Sequence, residues 1–84
     1  MARVGINESA KSLQKGILEK DLDALNAAGH KLKGTSLAIG LTQLSKLAVA
    51  FELLAEFEEE YINNLFESVL FEIRIVDKLL INEY

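Results

Sequence analysis

The stretch of sequence that decides the fold runs GHKLKGTSLAIG over residues 29–40, and it holds the single histidine and three of the five glycines. Placed on a helix at about 100° per residue, this stretch and the residues before it divide into two sides. One side is predicted to face a core: Leu22, Leu25, Gly29, Leu32, Ser36 and Ile39. The opposite side carries Asp23, Asn26, His30, Lys33, Gly34 and Leu37.

His30 is therefore predicted to face solvent, opposite the core side of its helix. Lys33 follows at about one turn, and Gly34 lies at i+4, directly above the imidazole. A glycine inside a helix costs about 0.5–1 kcal/mol relative to alanine. Its place beside an exposed histidine indicates a partner that must come close to the ring.

Composition predicts one small helical domain over residues 1–84. Half of the residues are hydrophobic, proline is absent and aromatic residues are few. Without cysteine there is neither a disulfide framework nor a thiolate metal site, which is compatible with a reducing cytoplasm. The net charge of −4, with no basic cluster, argues against nucleic acid and anionic membranes as partners. No apolar run approaches the roughly 20 residues that span a bilayer.

The first two helices have recognisable boundaries. Residues 1–6 are predicted to be an irregular lead-in, with Asn7 as the N-cap of a first helix over residues 8–19. Asp21 is predicted to cap the second helix, which should end near Gly40, a suitable glycine for a helix C-terminus.

The second half of the chain is harder to divide. Thr42 is a predicted N-cap of a third helix, and a fourth helix is expected over residues 60–81. The break is placed between Phe57 and Glu60, in an acidic run without glycine or proline. The alternative is one helix from Leu41 onward, which would require a swapped or dimeric assembly, so a monomer and a dimer both stay open. The fourth helix is expected to bury Ile62, Leu65, Phe66, Val69, Ile73, Val76 and Leu80, with Phe71 and Ile81 beside its polar side.

Short loops and four apolar stripes predict an all-α fold, an antiparallel four-helix bundle. The run from His30 through Lys33-Gly34 to Gly40 resembles the signature of histidine-containing phosphotransfer (HPt) domains, which is His-x-x-Lys-Gly with a glycine ten positions after the histidine. Such domains are four-helix bundles that relay a phosphoryl group between receiver-domain aspartates in two-component phosphorelays. The resemblance covers residues 21–52.

The resemblance implies that His30 is the phosphoacceptor of a phosphorelay intermediate. Imidazole, with a pKa of about 6.5 in model peptides, is largely neutral near pH 7 and can act as a nucleophile. In the family a Gln or Glu lies 22 residues after the histidine, and Glu52 occupies that position. Glu52 is expected to accept the Nδ1–H of His30 and to leave Nε2 as the acceptor, while Lys33 offsets the charge of the phosphoryl group.

The implied partners are a response-regulator receiver domain, which would supply Mg²⁺, and a hybrid sensor histidine kinase. Asn26, Gly34 and Leu37 are the expected docking residues. The chain itself is expected to be a phosphoryl carrier with neither cofactor nor metal and without ATP-dependent kinase activity, since it has no glycine-rich phosphate loop.

Two other functions compete with this interpretation. The chain could be a non-catalytic dimerisation or adaptor module in which His30 is incidental, and the apolar excess of the fourth helix favours that slightly. It could also be a degenerate phosphotransfer domain that binds regulators without accepting phosphate, although the intact histidine argues against this. A metal-dependent enzyme is disfavoured because one histidine without cysteine makes a poor transition-metal site.

Overall fold

The computed structural model describes the backbone of residues 2–82 and the side chains of residues 5–76. This part of the chain forms four α-helices and no strand, which confirms the predicted all-α class. The helices are α1 (Ala2–Leu18), α2 (Leu22–Ala38), α3 (Thr42–Glu52) and α4 (Glu59–Asn82). Three-residue turns join α1 to α2 and α2 to α3, so the chain reverses direction at each of them.

The helices are arranged in a ring. α2 packs on α1 and α3, and α4 packs on α3 and α1, while among the described residues no Cα atom of α2 lies within 8 Å of a Cα atom of α4. The apolar stripes of all four helices meet in one core, as expected of a four-helix bundle. Its buried members are Ile6, Leu13, Leu25, Ala28, Leu32, Leu44, Ala48, Phe51, Ile62, Val69 and Ile73.

Both ends of α2 follow the sequence-based prediction. At its start, Oδ1 of Asp21 accepts a hydrogen bond from the backbone N–H of Ala24 at 3.1 Å, as an N-cap does. At its end, Gly40 has a φ of +76°, and the N–H of Leu41 bonds to the carbonyl of Ser36 at 2.8 Å. This pattern is a Schellman motif, and it requires the left-handed backbone that glycine adopts without strain. Because the helix ends at Ala38, the predicted core residue Ile39 lies outside it and is 42% exposed.

The predicted start of α1 is wrong. The helix begins at Ala2, so Asn7 lies inside it and is not an N-cap, and residues 2–6 are helical. Ile6 extends the apolar stripe of Leu13 by two turns and is 2% exposed. Burial of that side chain outweighs the local capping signal, because tertiary packing contributes more to helix stability than propensity does.

The boundaries of α3 also differ from the prediction. The N-cap position is Leu41, without a side-chain hydrogen bond, and Thr42 is the first helical residue. The helix ends at Glu52, several residues before the predicted break, and α4 begins at Glu59. The alternative of one continuous helix from Leu41 onward is therefore wrong.

The core side of α4 agrees with the prediction. Ile62, Val69, Ile73 and Val76 are buried, whereas Phe71 is 60% exposed, as expected from its place beside the polar side. Two further predictions for this helix lie outside the described side chains, namely Leu80 and Ile81. In the described part of the chain no helix has the length and apolar character needed to cross a membrane.

Candidate functional site

The candidate site is centred on His30, in the middle of α2. Its side chain is 73% exposed. The helical projection placed His30 opposite the core, but the structure turns it toward α3. Asn26 and Lys33, which share this face of α2, also reach α3. The imidazole thus lies at the α2–α3 edge, with one side supported by protein and the other in solvent.

Glu52 is the last residue of α3, and it is the partner of the imidazole. Nδ1 of His30 and Oε2 of Glu52 form a hydrogen bond across the helix–helix edge. The structure therefore brings together the two side chains that the family resemblance paired. The side chain of Glu52 is only 20% exposed, so the protein surrounds most of this side chain and limits its movement.

Lys33 completes a three-residue cluster with His30 and Glu52. Its Nζ donates to Oε1 of Glu52 at 2.9 Å and to Oε2 at 3.2 Å. The sequence analysis predicted that this ammonium would offset the charge of a phosphoryl group. The structure shows that it already has an anionic partner, and that this partner is the carboxylate hydrogen-bonded to the histidine.

The charge of Glu52 determines the tautomer of His30. The hydrogen bond from Lys33, and then the one from His30, hold the pKa of the Glu52 carboxyl below its ordinary value of 4.5. Glu52 is therefore ionised near neutral pH, and an ionised carboxylate only accepts hydrogen bonds. Nδ1 must then carry the ring proton, so in the neutral ring Nε2 has a lone pair available for a nucleophilic reaction.

The surface beyond the imidazole is open. A Cβ atom added to Gly34 would meet nothing within 4 Å, and Leu37 on the same helix is 57% exposed. A partner could therefore approach the backbone of α2 next to His30 without displacing a side chain. The structure fits the expected docking role of Gly34 and Leu37, which stays a prediction.

Gly29 has a different role from Gly34. A Cβ atom added there would lie 2.6 Å from the backbone nitrogen of Glu52, 2.8 Å from the carbonyl of Ala48 and 2.8 Å from Cβ of Phe51. These atoms belong to backbone or to the root of a side chain, so they cannot rotate away. Gly29 thus permits the close approach of α2 and α3 that brings Glu52 within reach of His30. Its position on the core side, next to the histidine, was the signal in the sequence.

Asn26 also contacts α3, one turn before His30 on α2. Its Nδ2 donates to the carbonyl of Phe51 at 2.9 Å and to the carbonyl of Leu54 at 3.1 Å. The sequence gave Asn26 only an expected docking role, which stays a prediction. Its two hydrogen bonds could not be read from the sequence, because they depend on where α3 ends.

The site brings together an imidazole, a carboxylate and an ammonium. Among the residues whose side chains are described, no group of three or more His, Cys, Asp or Glu side chains could hold a metal ion. What the bundle presents is an exposed imidazole, a carboxylate hydrogen-bonded to its Nδ1 and the Lys33 ammonium beside that carboxylate. Fold and site together define a helical bundle that presents an exposed histidine hydrogen-bonded across two helices.

Comparisons with known proteins place this bundle in a family. The family described as "Hpt domain" matches residues 5–75, and the chain belongs to that family. The chain is also similar to the phosphorelay intermediate protein YPD1 of Candida albicans, with 40% identity over 40 residues. That alignment covers 48% of this chain and 22% of the relative. No solved structure matches the chain.

Proposed function

We propose that this domain is a phosphorelay intermediate, which accepts a phosphoryl group on Nε2 of His30 from a receiver aspartate or a sensor kinase and passes it to a response-regulator receiver. The observation that carries the proposal is the exposed imidazole whose Nδ1 is held by an ionised Glu52. Membership of the Hpt family and the likeness to a phosphorelay intermediate support the same function. The alternative of an adaptor module gives no account of this oriented histidine.

The transfer step follows from the tautomer. The lone pair of Nε2 attacks the phosphorus of an aspartyl phosphate in line with the leaving oxygen. The N–P bond forms as the P–O bond breaks, and the aspartate leaves as a carboxylate. The ring keeps its Nδ1 proton and becomes positively charged. Glu52, which accepts that N–H, stabilises this developing charge without any proton having to move.

The onward step is the same reaction in reverse with a second receiver. Because no proton enters or leaves, the phosphohistidine can return its phosphoryl group to a carboxylate through the same arrangement. The domain thus acts as a reversible carrier. By this proposal the Mg²⁺ and the aspartate belong to the receiver, and His30, Glu52 and Lys33 are the contribution of this chain.

Lys33 acts in two stages under this proposal. Before transfer its ammonium holds Glu52 at distances of 2.9 and 3.2 Å. After transfer a phosphoryl group of about −2 charge stands one turn away on the same helix, and a flexible ammonium can move to share that charge.

The cytoplasm, where receivers and kinase domains meet, is the compartment this proposal assigns.

The experiment is phosphoryl transfer from receiver domains charged with acetyl phosphate, followed by acid and base treatment of the labelled domain. We expect label that is lost in acid and kept in base, which is the behaviour of phosphohistidine. The matched control is His30→Gln, which should take up no label. If none of a broad panel of charged receivers transferred label to the parent domain, the relay function would be wrong.

A further inference from the structure

We propose that Asn26 is a positioning residue for phosphoryl transfer, and that its side-chain amide holds the end of α3 so that Glu52 stays against His30. This inference rests on the proposed function of His30 and Glu52. It assigns Asn26 a role inside the domain, in addition to any contact that Asn26 makes with a partner.

Asn26 forms hydrogen bonds with two backbone carbonyls that flank Glu52 in the sequence. Its amide has two N–H groups, and they donate to the carbonyls of Phe51, the residue before Glu52, and Leu54, two residues after it. Asn26 is part-buried at this contact, so water competes less for these hydrogen bonds than it does at a fully exposed site. Both donors of one side chain are thus used to fix the segment that carries the orienting carboxylate.

The end of α3 needs such support. The last four carbonyls of an α-helix have no partner within the helix, and a glycine in the left-handed region often completes the ending. Here the C-cap is Leu53, with a φ of −95°, and neither glycine nor proline follows up to Glu58. The backbone N–H of Leu53 donates to Val49 at 3.0 Å and that of Leu54 to Phe51 at 3.4 Å, and the amide of Asn26 adds donors from a neighbouring helix to this local ending.

The consequence reaches the reacting nitrogen. Glu52 is the terminal residue of α3, where helices fray most readily, and its carboxylate must stay within hydrogen-bond distance of Nδ1. Gly29 sets how closely α2 and α3 approach, and Asn26 fixes where α3 ends. Since Asn26 and His30 are four residues apart on one face of α2, the anchor and the nucleophile belong to the same rigid helix.

The test uses Asn26→Ala and Asn26→Asp, the second of which keeps the shape of the side chain and removes both donors. Each is made in the parent and in a Glu52→Ala background. The matched control is Val69→Ala, a fully buried site on α4, the helix whose described Cα atoms all lie more than 8 Å from those of α2. All variants are compared in trimethylamine N-oxide at a concentration at which circular dichroism shows them folded.

The first readout is the ¹⁵N NMR spectrum of His30 in the unphosphorylated domain, which reports the tautomer. We expect the Nδ1–H form to dominate in the parent and in Val69→Ala, and a tautomer mixture in both Asn26 variants. The second readout is the rate of transfer from a charged receiver. It should fall by up to about a hundredfold, the loss that a misplacement of about 1 Å can produce, and should not fall below the rate of Glu52→Ala.

The double variants distinguish positioning from docking. If Asn26 acts through Glu52, then Asn26→Ala changes neither readout further in the Glu52→Ala background. An equal loss of rate in both backgrounds would overturn the proposal and would assign Asn26 to the receiver contact. A tautomer unchanged from that of Val69→Ala would overturn it as well. If the parent accepted no phosphoryl group, the proposed function would fail, while the tautomer spectra would still decide the role of Asn26.

Discussion

The substitution Gly29→Ala should separate α2 from α3 and uncouple Glu52 from His30. The added Cβ would lie 2.6 Å from the backbone nitrogen of Glu52, whereas ordinary contacts begin at 3.4 Å. The difference, 3.4 minus 2.6, is about 0.8 Å, and the helices must separate by roughly that amount. Only backbone and a Cβ atom surround the site, so no side-chain rotation can absorb the clash.

The cost can be set against the gain in helix propensity. Overpacking costs about 1–3 kcal/mol, and a contact with rigid backbone belongs at the upper end of that range. Alanine in place of glycine returns up to about 1 kcal/mol of helix stability. We therefore expect a net loss of about 2 kcal/mol. For a domain of this size that lowers Tm by about 8–16 °C.

The assay is urea and thermal unfolding, followed by ¹⁵N NMR of His30 at a temperature where the variant is folded. The matched control is Gly34→Ala on the same helix, where a Cβ meets nothing within 4 Å. That variant should gain some tenths of a kcal/mol up to about 1 kcal/mol and keep the Nδ1–H tautomer. If Gly29→Ala were as stable as Gly34→Ala, the close approach of α2 and α3 would be wrong.

Three further predictions concern the same cluster. His30→Gln should leave the free energy of unfolding within about 0.5 kcal/mol of the parent, because the ring is exposed, and should abolish phosphoryl uptake; label on another residue would identify a different nucleophile. Gly34→Gln should fold at least as well as the parent, while the rate of transfer from a receiver falls by about an order of magnitude or more, because the added side chain blocks the approach to the ring; normal transfer by the folded variant would place the docking surface elsewhere. The lowered pKa of Glu52 means that its ionised form stabilises the fold at pH values above 4.5, and that this stabilisation is lost as the pH falls through the lowered value. In Lys33→Ala the largest cause of that lowering is gone, so the stabilisation should be smaller and should be fully lost at a higher pH, nearer 4.5, in thermal unfolding followed against pH; identical pH profiles would contradict the pairing of Lys33 with Glu52.

The sequence predicts the structure correctly where the signal is local or where apolar residues repeat with the helical period. The cap at Asp21 and the left-handed turn at Gly40 are local chemistry, and both ends of α2 follow from them. The contact between His30 and Glu52 was expected only through the family resemblance, because a distance across two helices is not encoded in either helix alone.

The features that escaped prediction depend on tertiary contacts. Helix α1 begins earlier than predicted because Ile6 is buried in the core, and this burial outweighs the local capping signal at Asn7. The end of α3 carries neither glycine nor proline, and one of its terminal carbonyls, that of Phe51, accepts a hydrogen bond from Asn26 on another helix. Sequence patterns describe one helix or strand at a time, so they cannot predict a helix end that a neighbouring helix stabilises.

The most direct test of the account is to determine which nitrogen of His30 carries the phosphoryl group. The domain is labelled with ¹⁵N-histidine and phosphorylated by a charged receiver, and the nitrogen–phosphorus coupling is measured by NMR. Because Nδ1 donates its proton to the ionised Glu52, we predict that phosphorus is bonded to Nε2, with Nδ1 still protonated. Phosphorus bonded to Nδ1 would contradict the account, since that nitrogen could accept it only after leaving Glu52.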